Sequence, residues 1–383
     1  MIYSIPYLIL VLIYGFLALL HSSIDKEEIK SRINIVCVLI MVFFFGFRGY
    51  TCDDWIAYYP AFQSCSIEDI NITLYYDSGA KWLFEPGFTV LMLLCKSIFN
   101  DFHFFTLICT CINTILLFRF LKKYTVSIPF GMMMYLCFGG YGMNTNMMRN
   151  SIAILIFINA IEYIEKRQIV RYFLMCTLAL SFHISSFIYF PLYFFINRKC
   201  NKWIYASIFI ICNIIFLLQI PVFVTAFSLF TNTDAGKLSL MVDSYTDSAE
   251  FQLLTIGYLE RLFSGILIFC YYDKLLSIRN ENKIFINSFI AFIFMSFILS
   301  EFQVVSLRMA GLFIFSYWVL WGDLIKCFSI VNNRKLFMAF IGIYCSLKII
   351  GSTNMITSEY DNILFGAKSY EERLYLHNRY SKE

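Results

Sequence analysis

The chain has 383 residues, of which 60% are apolar, 19% aromatic and only 15% charged. A composition this apolar excludes an ordinary soluble domain and indicates an integral membrane protein whose apolar surface faces lipid. The formal net charge of +4 says little about how the chain lies in the membrane, because the positions of the lysines and arginines matter more than their sum.

Twelve apolar runs follow one another, and several approach the ~20 residues that a helix needs to cross a bilayer. We therefore predict an all-α integral membrane protein with about 11–12 apolar helical segments. The run 86–99 is short, and 172–196 is interrupted by His183 and Pro191, so these two are predicted to be re-entrant or broken. The runs span roughly 3–20, 33–47, 86–99, 102–121, 128–142, 147–164, 172–196, 203–227, 257–272, 284–300, 307–325 and 336–350.

Six clusters of three basic residues separate these runs, and the positive-inside rule predicts that all six are cytoplasmic. The N-terminus is then outside, the segment 86–121 must hold an odd number of crossings, and 172–196 must be a helical hairpin with His183 near its turn. The clusters are Lys26, Lys30, Arg32; Arg119, Lys122, Lys123; Lys166, Arg167, Arg171; Arg198, Lys199, Lys202; Lys274, Arg279, Lys283; and Lys326, Arg334, Lys335.

The longer polar segments fall on the outer face under this assignment. They are the loops 48–85 and 231–252 and the tail 351–383. We therefore predict one polytopic membrane domain, 1–350, followed by an outer-face C-terminal tail, 351–383.

Four arginines lie at boundaries of apolar segments, apart from the six clusters. An ionisable group at such a place is costly unless it is paired or used, so these residues are the first candidates for function. They are Arg48, Arg149, Arg261 and Arg308.

The segment from Phe45 to Tyr59 combines Arg48 with the adjacent carboxylates Asp53 and Asp54 and several aromatic residues. Arginine forks match phosphate oxygens, carboxylates can accept a proton from a hydroxyl, and flat aromatic rings stack on sugars. Residue types alone favour a plainer interpretation, an interfacial aromatic belt with an Arg–Asp pair that holds the loop.

Three further constellations allow both a functional and a structural interpretation. Arg149 follows a polar segment that suits a helix N-terminus, where it would either add charge for an anion or snorkel to the interface. His183 is either a hydrogen-bonded interior group or a catalytic one. Arg261 stands beside Glu260, which could neutralise it, and Arg308 begins a later apolar run.

The thirteen cysteines show no CxxC pair and are interpreted as small buried hydrophobes. A disulfide between Cys52 and Cys65 in the first outer loop is left open. The sequence has no Walker loop, Rossmann fingerprint, HExxH or GxSxG motif. Any energy for a reaction must therefore come from the substrate itself.

Taken in order, these residues resemble the EpsG family of bacterial polysaccharide polymerases, which is related to the Wzy O-antigen polymerases. The resemblance covers nearly the whole chain. It differs at Asn150, where the family often has glutamine. The shared sequence motifs are Phe-Arg-Gly with Asp and Tyr at Phe47–Tyr59, Glu-Pro-Gly-Phe at Glu85–Phe88, Met-Arg with Ile-Ala at Met148–Ala153, Phe-His-x-Ser at Phe182–Ser185, an arginine in the last third of the chain, Arg308, and Tyr-x-Asn-Ile-Leu at Tyr360–Leu364.

The resemblance implies a GT-C-like, multi-pass glycosyltransferase in the bacterial inner membrane. It would join undecaprenyl-diphosphate-linked oligosaccharide repeat units into O-antigen or a similar surface polysaccharide at the outer leaflet. Its other partners would be the lipid bilayer, a chain-length regulator and a flippase, with no nucleic acid. No cofactor is expected. A metal at the acidic residues of the first outer loop is possible by analogy with other GT-C enzymes, but stabilisation of the diphosphate by arginines without a metal is the simpler interpretation.

The expected site residues follow from these motifs. Asp53 is the first candidate for the base and Asp54 the second, with His183 assisting. The expected substrate-binding residues are Arg48, Tyr58, Glu85, Arg149, Arg261, Arg308 and Asn362.

Three other functions would use some of the same arginines, carboxylates and aromatic residues: an O-antigen ligase, a lipid-linked oligosaccharide flippase and a membrane O-acyltransferase. A flippase should show such residues on both faces, and an acyltransferase should place its His and Arg toward the cytoplasm. A ligase shares the donor and differs in its acceptor, the lipid A core.

Overall fold

A computed structural model describes residues 2–70, 84–222 and 255–380 of the chain. Every regular element in these ranges is helical, and their one antiparallel bridge, between Arg48 and Asn362, is isolated. The predicted all-α class is therefore confirmed. The helices are α1 Ile5–Ser23, α2 Glu27–Met41, α3 Trp55–Ser64, α4 Pro86–Ile98, α5 Phe102–Tyr124, α6 Ile128–Tyr135, α7 Tyr141–Thr145, α8 Met148–Glu165, α9 Ile169–Phe182, α10 Leu192–Phe195, α11 Lys202–Leu217, α12 Ile256–Cys270, α13 Tyr272–Ile278, α14 Asn282–Ile298, α15 Gln303–Gly311, α16 Phe315–Cys327, α17 Val331–Thr353 and α18 Tyr370–Tyr380.

The helices belong to two compact units. The first comprises Met1–Tyr193 together with Val331–Glu383, and thus holds α1 to α9, the first half of α10, α17 and α18. The second comprises Phe194–Ile330, with α11 to α16. The C-terminal tail is part of the first unit. The second predicted outer loop, 231–252, lies outside the described residues.

Four helical segments are long and apolar enough to cross a membrane: Ile2–Ser23, Glu27–Gly46, α5 and α17. A bent pair formed by Val305–Gly311 and α16, with an angle of 56°, makes a fifth candidate. The described chain is therefore a multi-pass membrane protein.

Helix α4 illustrates a segment that cannot cross alone. Its 13 residues give a length of about 20 Å at 1.5 Å per residue, which is short of the ~30 Å hydrocarbon core. The adjoining helix α5, with 23 residues, is long enough. This agrees with the prediction that one of the two runs in 86–121 does not span fully.

The chain doubles back at His183, as predicted. Helix α9 ends at Phe182, His183 is extended, and a 3-10 helix follows at Ile184–Tyr189. The Tyr172 hydroxyl donates to the Tyr189 carbonyl at 2.5 Å. The two arms of the segment therefore pack against each other as a helical hairpin.

Two breaks were not predicted. Helix α6 continues as a π-helical turn, Leu136–Gly140, in which Gly139 has φ +96°, a left-handed conformation that favours glycine. The run 307–325 is interrupted between Gly311 and Phe315, where the helix direction changes by 56°. Hydropathy did not reveal either break, because the apolar character continues across both.

Helix α8 forms the core of the first unit, and 14 of its 18 residues are buried. A helix that is apolar on all sides is expected inside the protein. At its C-terminal end, Glu162 and Glu165 pair with Arg119 at 2.6 Å and with Lys123 at 2.8 Å. The second basic cluster therefore lies at this end of α8, opposite Met148.

The later basic clusters also share one end of the second unit. Arg279 contacts the buried carboxylate of Asp323 at 3.0 Å, and Lys326 lies 4.0 Å from the same carboxylate. Lys202 lies 3.6 Å from Asp273. Their common position suits one membrane face, and the side on which each cluster lies stays a prediction.

All thirteen cysteines are free thiols. The Cys52 sulfur lies 2.8 Å from the Tyr141 hydroxyl, and the Cys65 thiol donates to the Phe62 carbonyl at 3.1 Å. Helix α3 separates the two cysteines by about 15 Å, which is beyond the reach of a disulfide. The disulfide that the sequence left open is therefore not formed.

Candidate functional site

Arg48 lies just beyond the π-helical turn Val42–Gly46 that ends the second span, and it is buried. One guanidinium nitrogen donates to the Phe45 carbonyl at 3.0 Å, and another lies 3.8 Å from the Met148 sulfur. No carboxylate of the described residues pairs with it, and burial lowers the pKa of Arg48. An anionic ligand would supply the counter-charge that these contacts lack.

The segment around Arg48 pairs with the C-terminal tail. The Gly49 N–H donates to the Asp361 carbonyl at 3.1 Å, and the Ile363 N–H donates to the Phe47 carbonyl at 2.9 Å. A Cβ at Gly49 would lie 2.2 Å from an Asp361 carboxylate oxygen, so the close approach requires glycine. The Phe-Arg-Gly and Tyr-x-Asn-Ile-Leu motifs are thus partners in one contact.

Asn362 supports this contact with its side chain. Its amide nitrogen donates to the Tyr360 hydroxyl at 3.0 Å, and its amide oxygen accepts from the Leu364 N–H at 3.0 Å. The Tyr360 ring stacks on Phe44 with 4.2 Å between the ring centres. The predicted substrate-binding role of Asn362 stays a prediction, and its observed contacts hold the tail.

The two carboxylates of the first loop, Asp53 and Asp54, directly follow a strained backbone turn at Cys52. Cys52 has φ +66°, a left-handed conformation that is unfavourable for a residue other than glycine. The Asn146 side-chain oxygen accepts from the backbone N–H groups of Asp53 and Asp54, at 2.9 and 3.3 Å. Asn146 thereby fixes both carboxylates relative to the start of α8.

Glu85 is placed beside the hairpin by the Glu-Pro-Gly-Phe motif. Pro86 occupies the first turn of α4, where its missing N–H costs nothing, and Glu85 precedes it as the N-cap. A Cβ at Gly87 would lie 2.4 Å from the Ser181 hydroxyl, so glycine permits α4 to approach the end of α9. One Glu85 oxygen then accepts from the Ile184 N–H at 3.1 Å.

Arg149 begins α8 and pairs with the other Glu85 oxygen at 2.5 Å. Its guanidinium lies over the Phe84 ring at 4.4 Å and near the Tyr58 ring at 5.9 Å. The Tyr58 hydroxyl interacts with both Arg149 and Asp54, and burial raises the pKa of this hydroxyl. Tyr58 therefore links the first loop to Arg149.

His183 joins the same region through Ser185. The His183 Nδ1 atom accepts from the Ser185 N–H at 3.2 Å and lies 2.7 Å from the Ser185 hydroxyl oxygen. That hydroxyl donates to the Asn150 side-chain oxygen at 3.3 Å. Four motifs far apart in sequence thus meet at the N-terminal end of α8, in what we term the polar cluster: Asp54, Tyr58, Glu85, Arg149, Asn150, His183 and Ser185.

The remaining two arginines lie in the second unit. The Arg261 guanidinium lies over the Phe292 ring at 5.6 Å, and the neighbouring Glu260 accepts from Ser264 at 2.8 Å. Arg308 is exposed on α15. Their convergence with the arginines of the first unit stays a prediction.

Three contributors to the site were missed from sequence. Asn146 stood in a polar segment that was interpreted only as a helix start. Arg373 and His377 lie on α18, and the His377 Nε2 atom lies 3.2 Å from the Asp53 carboxylate of the first loop. The low hydropathy of α18 gave no reason to connect it with that loop. Such a connection is a long-range contact, which local patterns do not reveal.

The chain is therefore an all-α membrane protein in which arginines and carboxylates meet at one end of a buried helix. The model of the EpsG family matches residues 31–364, which is most of the sequence, so the chain belongs to the EpsG family. This family is Wzy-like and associated with polymerases. A search of curated proteins and a search of solved structures each found no match.

Proposed function

We propose that this protein is a glycosyltransferase of the inner membrane that polymerises undecaprenyl-diphosphate-linked repeat units into O-antigen or a similar surface polysaccharide. The observation that supports it best is the polar cluster. It brings together residues of the first loop, the Glu-Pro-Gly-Phe motif, the start of α8 and the His183 turn. Belonging to the EpsG family supports the same reaction class.

The charges suit the leaving group of such a reaction. Lipid diphosphate leaves with the electron pair of the anomeric C–O bond, and fixed cations stabilise the charge that develops. Arg149 stands at a helix N-terminus, where backbone N–H groups also favour an anion. Arg48 contacts Met148, the residue before Arg149, so the two guanidinium groups belong to one region.

The two first-loop carboxylates differ in their surroundings. Asp54 is engaged by Tyr58 within the polar cluster, whereas the Asp53 side chain is 52% exposed. We therefore assign Asp53 as the base. It accepts the proton of the acceptor hydroxyl while that oxygen forms its bond to the anomeric carbon of the donor.

The test is the surface polysaccharide of a strain that lacks this protein, complemented with variants. Deletion should leave single repeat units on the lipid A core where the complemented strain shows a ladder. Asp53→Asn keeps the size of the side chain and removes the base, so the ladder should again collapse. Glu68→Gln, which changes an exposed carboxylate in the same loop, is the matched control and should restore the ladder.

Other outcomes would point elsewhere. A deletion strain with no repeat unit on the core would contradict a polymerase and favour a ligase or a flippase. A wild-type ladder with Asp53→Asn and also with Asp54→Asn would show that the base lies outside this pair. Glu85, Asp361 and His183 would then be the next candidates.

A further inference from the structure

The C-terminal helix α18 packs against the first outer loop. The Tyr370 ring stacks on Tyr59 with 4.3 Å between the ring centres, and the Trp55 ring meets Tyr370 edge-on at 5.4 Å. This helix lies beyond residue 364, where the match to the EpsG family ends. Its contact with the first loop therefore lies outside the matched motifs.

A buried arginine fixes α18 in its place. Arg373 is 4% exposed and contacts the Glu359 carboxylate at 3.1 Å and the Asp361 carboxylate at 3.0 Å. A guanidinium that is paired with two carboxylates holds its helix more rigidly than a single exposed ion pair would. His377 follows one turn later on the same face, since residues four apart lie above one another on a helix.

The His377 Nε2 atom lies 3.2 Å from a carboxylate oxygen of Asp53. The ring also meets Trp55 edge-on, with 6.4 Å between the ring centres. Its Nδ1 atom is buried and has no hydrogen-bond partner among the described residues. The distance therefore suits an imidazole that holds the Asp53 carboxylate through Nε2.

We propose that His377 is a positioning residue for Asp53, so that the C-terminal helix is a working part of the candidate site. This rests on the function proposed above. By donating to one oxygen of Asp53, His377 fixes the orientation of the carboxylate and leaves the other oxygen turned to the acceptor hydroxyl. A hydrogen bond to a charged group is strong enough for its loss to matter about tenfold.

The test measures polymerisation by the purified full-length protein, with lipid-linked repeat units extracted from the deletion strain as substrate. His377→Phe keeps a flat ring against Trp55 and removes the donor, so the rate should fall about tenfold. His377→Gln offers an amide donor near the position of Nε2 and should stay within about twofold of the wild-type rate. Tyr375→Phe, an exposed change on the same helix, should have no effect.

A double variant separates positioning from a merely structural role. Asp53→Asn should leave a residual rate roughly 10²–10⁴-fold below that of the wild type. On that residual rate His377→Phe should cause no further loss, because the group that it positions is already gone. A wild-type rate for His377→Phe would overturn the proposal. So would a further tenfold loss in the double variant, or a His377→Gln protein that is as slow as His377→Phe.

The failure of this proposal is distinguishable from the failure of the proposed function. If His377→Phe is fully active while Asp53→Asn shows only this residual rate, His377 has no part and the base assignment stands. If Asp53→Asn polymerises at the wild-type rate, the base assignment fails. If the wild-type protein yields no polymer from these units, the proposed function itself fails.

Discussion

At the scale of single residues, the polar cluster shows how a charged group is held near a membrane. Arg149 has one carboxylate partner, Glu85, and two aromatic neighbours, Phe84 and Tyr58. A cation over an aromatic face keeps its charge without a second counter-ion. Arg149 is therefore fixed in position and retains donors for an incoming anion.

Tyr58→Phe tests the link between the first loop and this arginine. The change keeps the ring and removes the hydroxyl that interacts with Asp54 and Arg149. We expect a stability loss of about 1 kcal/mol, the usual effect of one hydrogen bond, together with a much shorter polysaccharide ladder. Thermal unfolding in detergent and gel analysis of the polysaccharide check the two effects.

Tyr59→Phe is the matched control for this prediction. Tyr59 is the next residue, and its ring stacks on Tyr370, which the change preserves. The ladder and the unfolding temperature should both stay at wild-type values. Equal effects of the two substitutions would show that the Tyr58 hydroxyl has no special role.

At the scale of elements, the site depends on how closely α4 approaches the hairpin. A Cβ at Gly87 would lie 2.7 Å from the Ser181 carbonyl oxygen as well as near its hydroxyl. Backbone cannot move aside as a flexible side chain can. The position of Glu85 therefore follows from the absence of a side chain two residues later.

Gly87→Ala should push α4 away from the end of α9 and cost about 1–3 kcal/mol of stability, as overpacking does. The contact between Glu85 and the Ile184 N–H should lengthen with it. Gly342→Ala in α17 is the control, since nothing lies within 4 Å of its added Cβ. That change should be neutral or slightly stabilising in a helix. Unfolding temperatures that fall equally in both proteins would contradict this account.

The sequence predicts some of these elements well and others poorly, for physical reasons. Within the described residues each apolar run is helical, although three of the runs are broken into shorter elements. The turn at His183 was visible because a polar residue interrupts an apolar segment. Helix α3 was missed because it is short and contains Pro60, which is unfavourable inside a helix. Helix α18 was missed because its low hydropathy resembles that of loops. The pairing of Gly49 with Asp361 was missed because it joins segments about 310 residues apart in the chain.

At the scale of the whole molecule, the two ends of α8 differ in kind. One end carries the polar cluster, and the other carries the ion pairs of Arg119 and Lys123 with Glu162 and Glu165. The 18 residues between its ends give α8 a length of about 27 Å. That length is close to the thickness of the hydrocarbon core, so the polar ends suit opposite membrane faces.

Single cysteines introduced into a protein without the thirteen native ones test this orientation. A cysteine at Lys122 or Lys199 should resist a membrane-impermeant thiol reagent added to cells with a permeable outer membrane, because both positions belong to predicted cytoplasmic clusters. A cysteine at Ser64, exposed in the first loop, is the positive control and should react. Labelling at Lys122 with none at Ser64 would reverse the predicted orientation.

The contact between the first loop and the tail also sets an order of events during synthesis. Gly49 and Cys52 leave the ribosome about 310 residues before Asp361 and Thr357, to which their N–H groups donate. At roughly 5–20 residues per second, this interval lasts about 15–60 s. Membrane insertion of the early helices therefore precedes closure of the tail onto the loop. A nascent chain that stalls before the tail is made should reach the membrane and still be unable to act on a sugar.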